Sequence, residues 1–388
     1  MIKNTETNND RELLRHCSLR VLELANNSVE LYGLLSGLSG AVLSLAYLSK
    51  HSDIISNDDI SLLIDRAATY LKNPTSDTIC DGTTGVCWLL RLLAKEGIVD
   101  VDDIDEVLED IDKLNVAFLG RELEIGNIDY LHGAIGMAHY LLYFGIEKES
   151  VAEAVVRTLK ASAEEDSSGR IRWKKATYTG GSERENVYNL GLSHGMAAIV
   201  YLLAEIYETT NNEEALRLLK GSVKYFSEIF DKNSMLPYSF PSWIPIEPVD
   251  PSKIRPGGRL AWCYGDVGVS FGLLKAARVL KDDSLYAMAI KTLEKTLDYG
   301  TPIMDWCFCH GAAGLYYMYK KVYSYTGLPR FEAAAKACKK RLYEMQADIL
   351  QSDSLGVLQG IPGVILSLLD RDNQTPDSWD AVILLNAI

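Results

Sequence analysis

The sequence has no apolar run of the 18 or more residues that a membrane-spanning helix needs. Its first ten residues are polar and lack the apolar segment of a secretory signal, so we expect a cytoplasmic protein without a transmembrane segment. Basic residues are in deficit, because 39 lysines and arginines face 53 acidic residues and give a net charge of −14. An acidic surface repels nucleic acid and anionic lipid, which argues against both as general partners.

The cysteines do not form the pattern of a disulfide-stapled protein. Seven thiols, an odd number in a chain of 388 residues, do not suit the disulfide framework of a short secreted domain. Cys263, Cys307 and Cys309 lie in polar, glycine-rich sequence, which makes them candidates for binding metal. Three others lie in helix-like stretches and are expected to be buried apolar side chains: Cys17, Cys87 and Cys338.

A pattern of glycine, two residues, glycine and then an apolar, helix-like run recurs seven times. The first glycines of the copies are Gly37, Gly82, Gly133, Gly195, Gly265, Gly311 and Gly360. In the fourth copy Ala198 replaces the second glycine. The intervals also hold amphipathic segments, such as residues 213–229, with apolar positions at three- and four-residue spacing.

Helices that are apolar all round are buried, whereas amphipathic helices lie outside. The alternation therefore predicts an all-α fold, an α/α toroid of seven inner and seven outer helices. An open solenoid of helical hairpins is the alternative. We expect one domain over residues 1–388, with insertions near 166–190 and 231–258. These are loops or short hairpins that either bind substrate or are simply tolerated.

The glycine turns would lie at one end of the inner ring, and four of them carry reactive residues. Cys263 and Cys309 lie just before the first glycines of neighbouring repeats, and His310 follows Cys309. Two thiolates and one imidazole are a good zinc set, and three protein ligands leave the fourth position open, as in catalytic zinc. A fourth protein ligand, Cys307 or His194, would instead make the site structural.

An open zinc site with two thiolates suits activation of an incoming thiol better than hydrolysis. His132 and His194 each precede a glycine, and one or both can act as acid or base near pH 7. Asp129 can orient a histidine, hold a cation or simply cap a helix. Arg259 can meet negative charge that develops on a carbonyl oxygen, or it can be a surface residue.

These motifs identify a family resemblance. The strings Trp262-Cys263-Tyr264-Gly265, Cys309-His310-Gly311 and Gly191-Leu192-Ser193-His194-Gly195 resemble the lanthionine synthetase C-like family, and specifically its stand-alone lantibiotic cyclases. The resemblance covers essentially the whole chain. It implies an α/α toroid with one Zn²⁺ per chain, held by Cys263, Cys309 and His310.

The same resemblance implies the active-site roles. It places the acid/base histidine at His194 and other active-site residues at Asp129, Arg259 and Tyr264. The implied reaction adds a peptide cysteine thiolate to dehydroalanine or dehydrobutyrine, forming (methyl)lanthionine rings in a lantibiotic precursor. The implied partners are a dehydrated precursor peptide with its leader, a separate dehydratase and a peptide exporter. Contact with these partners would bring the protein to the membrane peripherally.

Two other interpretations remain at this level. A LanC-like protein that binds or adds a zinc-held thiol such as glutathione would share the metal set. A toroidal carbohydrate enzyme would need paired carboxylates, whereas the decorated turns offer thiols and histidines.

Overall fold

The structure is a computed structural model that describes residues 8–27, 31–50, 52–174, 187–246, 258–300, 303–369 and 379–387. Its helices, numbered in chain order, are α1 (Asn8–Asn26), α2 (Leu38–Ser49), α3 (Asn57–Ala68), α4 (Thr83–Lys95), α5 (Val101–Glu124), α6 (Ala134–Tyr143), α7 (Lys148–Ser162), α8 (Met196–Thr210), α9 (Glu213–Lys232), α10 (Asp266–Leu280), α11 (Asp283–Thr296), α12 (Ala312–Thr326), α13 (Pro329–Glu344), α14 (Gln346–Gln351) and α15 (Ile361–Leu368). Short 3-10 turns cover Thr69–Lys72 and Trp379–Ile383.

The repeat sets where helices begin. Within the described residues, seven helices start directly after the first glycine of a repeat: α2, α4, α6, α8, α10, α12 and α15. These glycine-capped helices are apolar nearly all round, and in α2 every residue but the last is buried. Flanking helices bury one face only, as in α3, where Ile60, Leu63 and Ile64 are buried at helical spacing.

A close backbone approach explains the first glycine of each repeat. The loop before it curls back, so that a Cβ on that glycine would lie 2.3–2.6 Å from the carbonyl oxygen six residues earlier in every copy. In the second repeat this carbonyl belongs to Ser76, and it also accepts the N–H of Thr83 at 3.0 Å. Gly265 has a further reason, because its φ of 86° lies in the region that favours glycine.

Contacts divide the chain into two compact units. The first comprises Met1–Lys113 and Pro302–Trp379. In it the glycine-capped helices pack in series, α12 against α15, α15 against α2 and α2 against α4. The flanking helices α13 and α3 pack against α12 and α2. The last glycine-capped helix thus contacts the first one, which an open solenoid would leave apart.

The second unit comprises Leu114–Thr301 and Asp380–Ile388. In it α6, α8 and α10 pack in series, and α7, α9 and α11 flank them in the same order. The single domain predicted for residues 1–388 stays a prediction.

The C-terminal residues of the second unit are buried among its helices, and polar contacts hold them there. His139 is fully buried and contacts the Glu205 carboxylate through Nδ1 at 2.7 Å and the Ala381 carbonyl oxygen through Nε2 at 3.0 Å. The Trp262 indole N–H donates to the Ile383 carbonyl at 2.8 Å. His139 therefore holds the C-terminal segment in place.

The two predicted insertions form short antiparallel pairs. In the first one β1 (Glu164–Glu165) pairs with β2 (Ile171–Arg172). The first insertion ends in β3 (Val187–Asn189), which pairs with β4 (Trp243–Pro245) of the second insertion. Residues 175–186 and 247–257 of these insertions lie outside the described residues. The sequence predicted loops or short hairpins, but it did not show that the insertions pair with each other.

The close approach at the repeat glycines can be tested in the second repeat, which contributes none of the proposed site residues. Gly82→Ala places a methyl group 2.3 Å from the Ser76 carbonyl oxygen, and we expect it to lower the free energy of unfolding by roughly 1–3 kcal/mol. Gly120→Ala is the matched control, because Gly120 lies exposed in α5 with nothing near its Cβ position. It should stabilise by roughly 0.5–1 kcal/mol. Urea unfolding measures both, and equal effects would contradict the steric explanation.

Candidate active site

The candidate residues lie in the curled loops that precede the glycine-capped helices. Cys263 is two residues before Gly265, and Cys309 is two residues before Gly311, whereas His194 directly precedes its glycine. The loops therefore present residues of the same offset in the same way. Each thiol also lies just ahead of a helix N-terminus, where the partial positive charge favours a thiolate.

Asp129 and His194 form a direct pair in the second unit. Nδ1 of His194 lies 3.0 and 2.9 Å from the two carboxylate oxygens of Asp129. The Asp129 side chain is 1% exposed and that of His194 is 23% exposed. Asp129 also accepts the backbone N–H of His132 at 3.0 Å, which fixes its own loop. With Nδ1–H directed to the carboxylate, Nε2 is the nitrogen that can exchange a proton with a substrate.

Aromatic and cationic groups surround this pair. The ring of His132 stacks on that of His194, with centroids 5.8 Å apart, and the Tyr264 ring lies 6.2 Å from His194. The guanidinium carbon of Arg259 is 5.8 Å from the centroid of the Tyr264 ring. The Asn189 amide donates to the Tyr264 hydroxyl at 3.4 Å. The structure thus brings together the four residues that the resemblance placed in the active site and His132, and it adds Asn189.

Cys263 is tied to the loop of His194. The Cys263 carbonyl oxygen accepts the Ser193 N–H at 3.3 Å and the Ser193 hydroxyl at 3.2 Å. Gly191 permits this approach, because a Cβ there would lie 2.6 Å from both the Cys263 oxygen and the Tyr264 ring. The metal candidate Cys263 and the base candidate His194 therefore sit on loops bonded to each other.

In the first unit, Cys309 and His310 lie on a loop that is anchored at both ends. The Cys309 N–H donates to the Leu358 carbonyl at 2.8 Å, and Cys309 is 7% exposed. The Asp305 carboxylate accepts the Cys307 N–H at 2.8 Å and lies 3.4 Å from Nε2 of His310. Burial tends to raise the pKa of Asp305, but these hydrogen bonds and His310 lower it overall.

The predicted metal ligands belong to different units: Cys263 lies in the second unit, and Cys309 and His310 lie in the first. Their shared zinc site stays a prediction. Within the first unit, Asp305, Cys307 and His310 are also a group that could hold a metal ion. Cys307 thus stays an alternative to Cys309 as a predicted metal ligand.

A buried carboxylate fixes the second insertion beside the site. Asp266 accepts the N–H groups of Ser239 and Phe240 at 2.8 and 2.7 Å, together with the Tyr299 hydroxyl. Burial raises the pKa of Asp266, and these three hydrogen bonds oppose the rise by stabilising its charged form. The insertion continues into β4.

There, the ring of Trp243 lies 6.3 Å from that of Tyr264. This part of the second insertion is therefore a wall of the candidate site, and not merely a tolerated loop.

The family model for lanthionine synthetase C-like protein matches residues 7–384. The chain belongs to the lanthionine synthetase C-like family.

The nisin biosynthesis protein NisC of Lactococcus lactis subsp. lactis is 23% identical over 356 residues, which cover 86% of this chain and 84% of NisC. The solved structure of nisin cyclase superposes with a TM-score of 0.80 at 19% identity, over 98% of both chains.

These comparisons settle the fold class. The likeness to nisin cyclase, an α/α toroid, confirms the toroid that the sequence predicted for this lanthionine synthetase C-like chain. The contact between α15 and α2 joins the last repeat to the first one within the first unit. Within the residues that the structure describes, no helix combines the length and apolar character needed to cross a membrane.

Asn189 and Asp305 were missed by the sequence reasoning. Both occupy the position six residues before a first glycine, where their side chains accept an N–H of their own loop. In the four repeats whose turns carry reactive residues, the third to the sixth, this position is polar. In three of them it is an amide or a carboxylate: Asn127, Asn189 and Asp305. Aligning the repeats on their glycines would have given that signal.

The buried carboxylate of Asp266 offers a test of how the wall of the site is held. Asp266→Ala leaves two buried backbone N–H groups without their acceptor, so we expect a loss of about 3 kcal/mol in the free energy of unfolding. Asp282→Ala is the matched control, because Asp282 also accepts two backbone N–H groups but caps α11 at the surface. Its expected cost is about 1 kcal/mol. Urea unfolding that gives equal losses would contradict this account.

Proposed function

We propose that this chain is a zinc-dependent lanthionine cyclase. It adds cysteine thiolates of a dehydrated precursor peptide to dehydroalanine or dehydrobutyrine and forms the thioether rings of a lantibiotic. The observation that carries the proposal is the Asp129–His194 pair, held on a loop bonded to that of Cys263. The family match and the two nisin relatives support lanthionine cyclase activity.

The donor set fits zinc. Cys263, Cys309 and His310 offer two thiols and an imidazole, and this combination is typical of zinc with an open position. Both cysteines are 7% exposed, so little water competes for their sulfur atoms. Zinc bound there would supply the Lewis acidity that keeps an incoming peptide cysteine deprotonated.

The chain's own residues handle the proton and the developing charge. The peptide sulfur forms a bond to the β-carbon of the dehydro residue, and the electron pair of the double bond moves toward the adjacent carbonyl as an enolate. Arg259, held over the Tyr264 ring, is placed to meet that charge. His194 delivers a proton from Nε2 to the α-carbon, and Asp129 stabilises the imidazolium before transfer.

The substrate and partners follow from the same proposal. A precursor peptide with its leader must already carry dehydrated serines and threonines, so a separate dehydratase acts before this chain. A peptide exporter acts after it. We place the protein in the cytoplasm, at the membrane only through these partners. NisC, by its name, takes part in nisin biosynthesis, which supports a peptide substrate.

The zinc site is tested by metal content and ring closure together. We expect about one zinc per purified wild-type chain, and a loss of both zinc and thioether formation in Cys309→Ala. Metal analysis and thiol-alkylation mass spectrometry of a dehydrated test peptide measure the two. Cys338→Ala is the control, since burial in α13 raises the pKa of Cys338 to about 12 and makes it a poor thiolate.

The outcomes separate the candidate functions. A wild-type chain without zinc would refute the zinc-dependent mechanism. A chain that binds zinc and free thiols but closes no peptide ring would favour the glutathione-type interpretation.

The proton-transfer role of His194 predicts a different phenotype. His194→Ala should keep its zinc but lower the rate of ring closure by roughly 10²–10⁴-fold, the usual contribution of a general acid or base. Asp129→Asn should lower the rate less, because the imidazole remains. His16→Ala is the control, since His16 contacts Gln346 in the first unit. Ring closure at the wild-type rate in His194→Ala, measured by mass spectrometry over time, would refute this role.

A further inference from the structure

We infer that Asp305 is a positioning residue for the metal ligand His310. The inference rests on the proposed function, in which His310 binds zinc. The Asp305 Oδ2 atom lies 3.4 Å from Nε2 of His310. A carboxylate at this nitrogen orients the ring, leaves Nδ1 for the metal and makes that nitrogen a better donor.

The loop itself does not require a carboxylate at this position. Oδ1 of Asp305 accepts the N–H two residues later, that of Cys307, at 2.8 Å. Asn189 occupies the equivalent place in the fourth repeat, and its Oδ1 accepts the N–H two residues later, that of Gly191, at 2.9 Å. An amide therefore suffices to hold the curl of the loop.

The second carboxylate oxygen is what distinguishes Asp305 from Asn189. An amide there would turn either a weaker acceptor or an N–H₂ donor toward His310, whereas Oδ2 of Asp305 presents a charged acceptor. The backbone of Asp305 is fixed independently, because its carbonyl accepts the Ala312 N–H at 2.9 Å. Replacing the Asp305 carboxylate by an amide should therefore change the interaction with His310 without moving the loop.

Exposure limits the expected size of the effect. The side chains of His310 and Asp305 are 30% and 44% exposed, so water screens their interaction. Loss of a carboxylate partner behind a metal-binding histidine typically weakens metal affinity by 10–100-fold. We therefore expect a loss of zinc affinity at the lower end of this range, about 10-fold.

Asp305→Asn tests the inference because Asn189 shows that an amide keeps the loop. Zinc affinity is measured on the full chain by competition with a chromophoric chelator, and the melting temperature is measured on metal-stripped protein. The expected result is an approximately 10-fold weaker zinc affinity with an unchanged melting temperature of the stripped protein. Affinity within twofold of wild type would overturn the inference, as would a fall that merely accompanies a lower melting temperature.

Two further variants separate this inference from its rivals. Cys307→Ser should bind zinc like wild type. If it instead loses zinc as fully as His310→Ala, then Asp305 is itself a ligand in the set with Cys307, and the positioning role is wrong. Cobalt substitution gives a second readout, because charge-transfer bands of two thiolates should persist in Asp305→Asn.

Failure of the proposed function is recognisable separately. If His310→Ala binds zinc as tightly as wild type, or if wild type binds none, the zinc site itself fails and the inference falls with it. If His310→Ala loses zinc while Asp305→Asn retains full affinity, only the role of Asp305 is refuted.

Discussion

The contact of a loop carbonyl with the glycine six residues later is the constraint on which the rest of this structure depends. It recurs in every repeat, and a side chain at the glycine would occupy the carbonyl's place. The contact turns the chain directly from an inward-curled loop into a buried helix. Because the curl is the same each time, residues at a given offset from the glycine meet the same surroundings, and the chemistry can be varied without changing the fold.

The repeats that contribute none of the proposed site residues support this separation of fold from chemistry. Leu31, Ser76 and Ser354 supply the curling carbonyl in the first, second and seventh repeats. Their loops carry no histidine before the glycine. In the fourth and sixth repeats the same curl is reinforced by an amide or carboxylate side chain, which also reaches a neighbouring residue of the site. The backbone of the curled loop thus forms in every repeat, and the side chains of particular repeats add the functional groups.

Buried carboxylates give the site its rigidity. Asp129 and Asp266 are nearly inaccessible to water, and burial of a charge is costly unless donors surround it. Asp129 has a backbone N–H and the His194 ring, whereas Asp266 has two backbone N–H groups and a tyrosine hydroxyl. Each therefore links a glycine-capped helix or its loop to a separate segment. The first orients a proton carrier and the second holds the wall that includes Trp243.

The sequence by itself determined the repeat and the buried and flanking helices, because glycine spacing and hydrophobic period are local signals. It predicted the toroid but left an open solenoid as the alternative, because ring closure depends on contacts between repeats that are far apart in the chain. It also nominated His194, Asp129, Arg259 and Tyr264, which are clustered in the second unit. The tertiary structure alone decided that Asp129 holds His194 across 65 residues, that the two insertions pair with each other, and that Asn189 and Asp305 reach site residues. Apart from the Asp305–His310 contact, which forms within one loop, these contacts join segments far apart in the chain, and their geometry arises only when the curled loops are packed side by side.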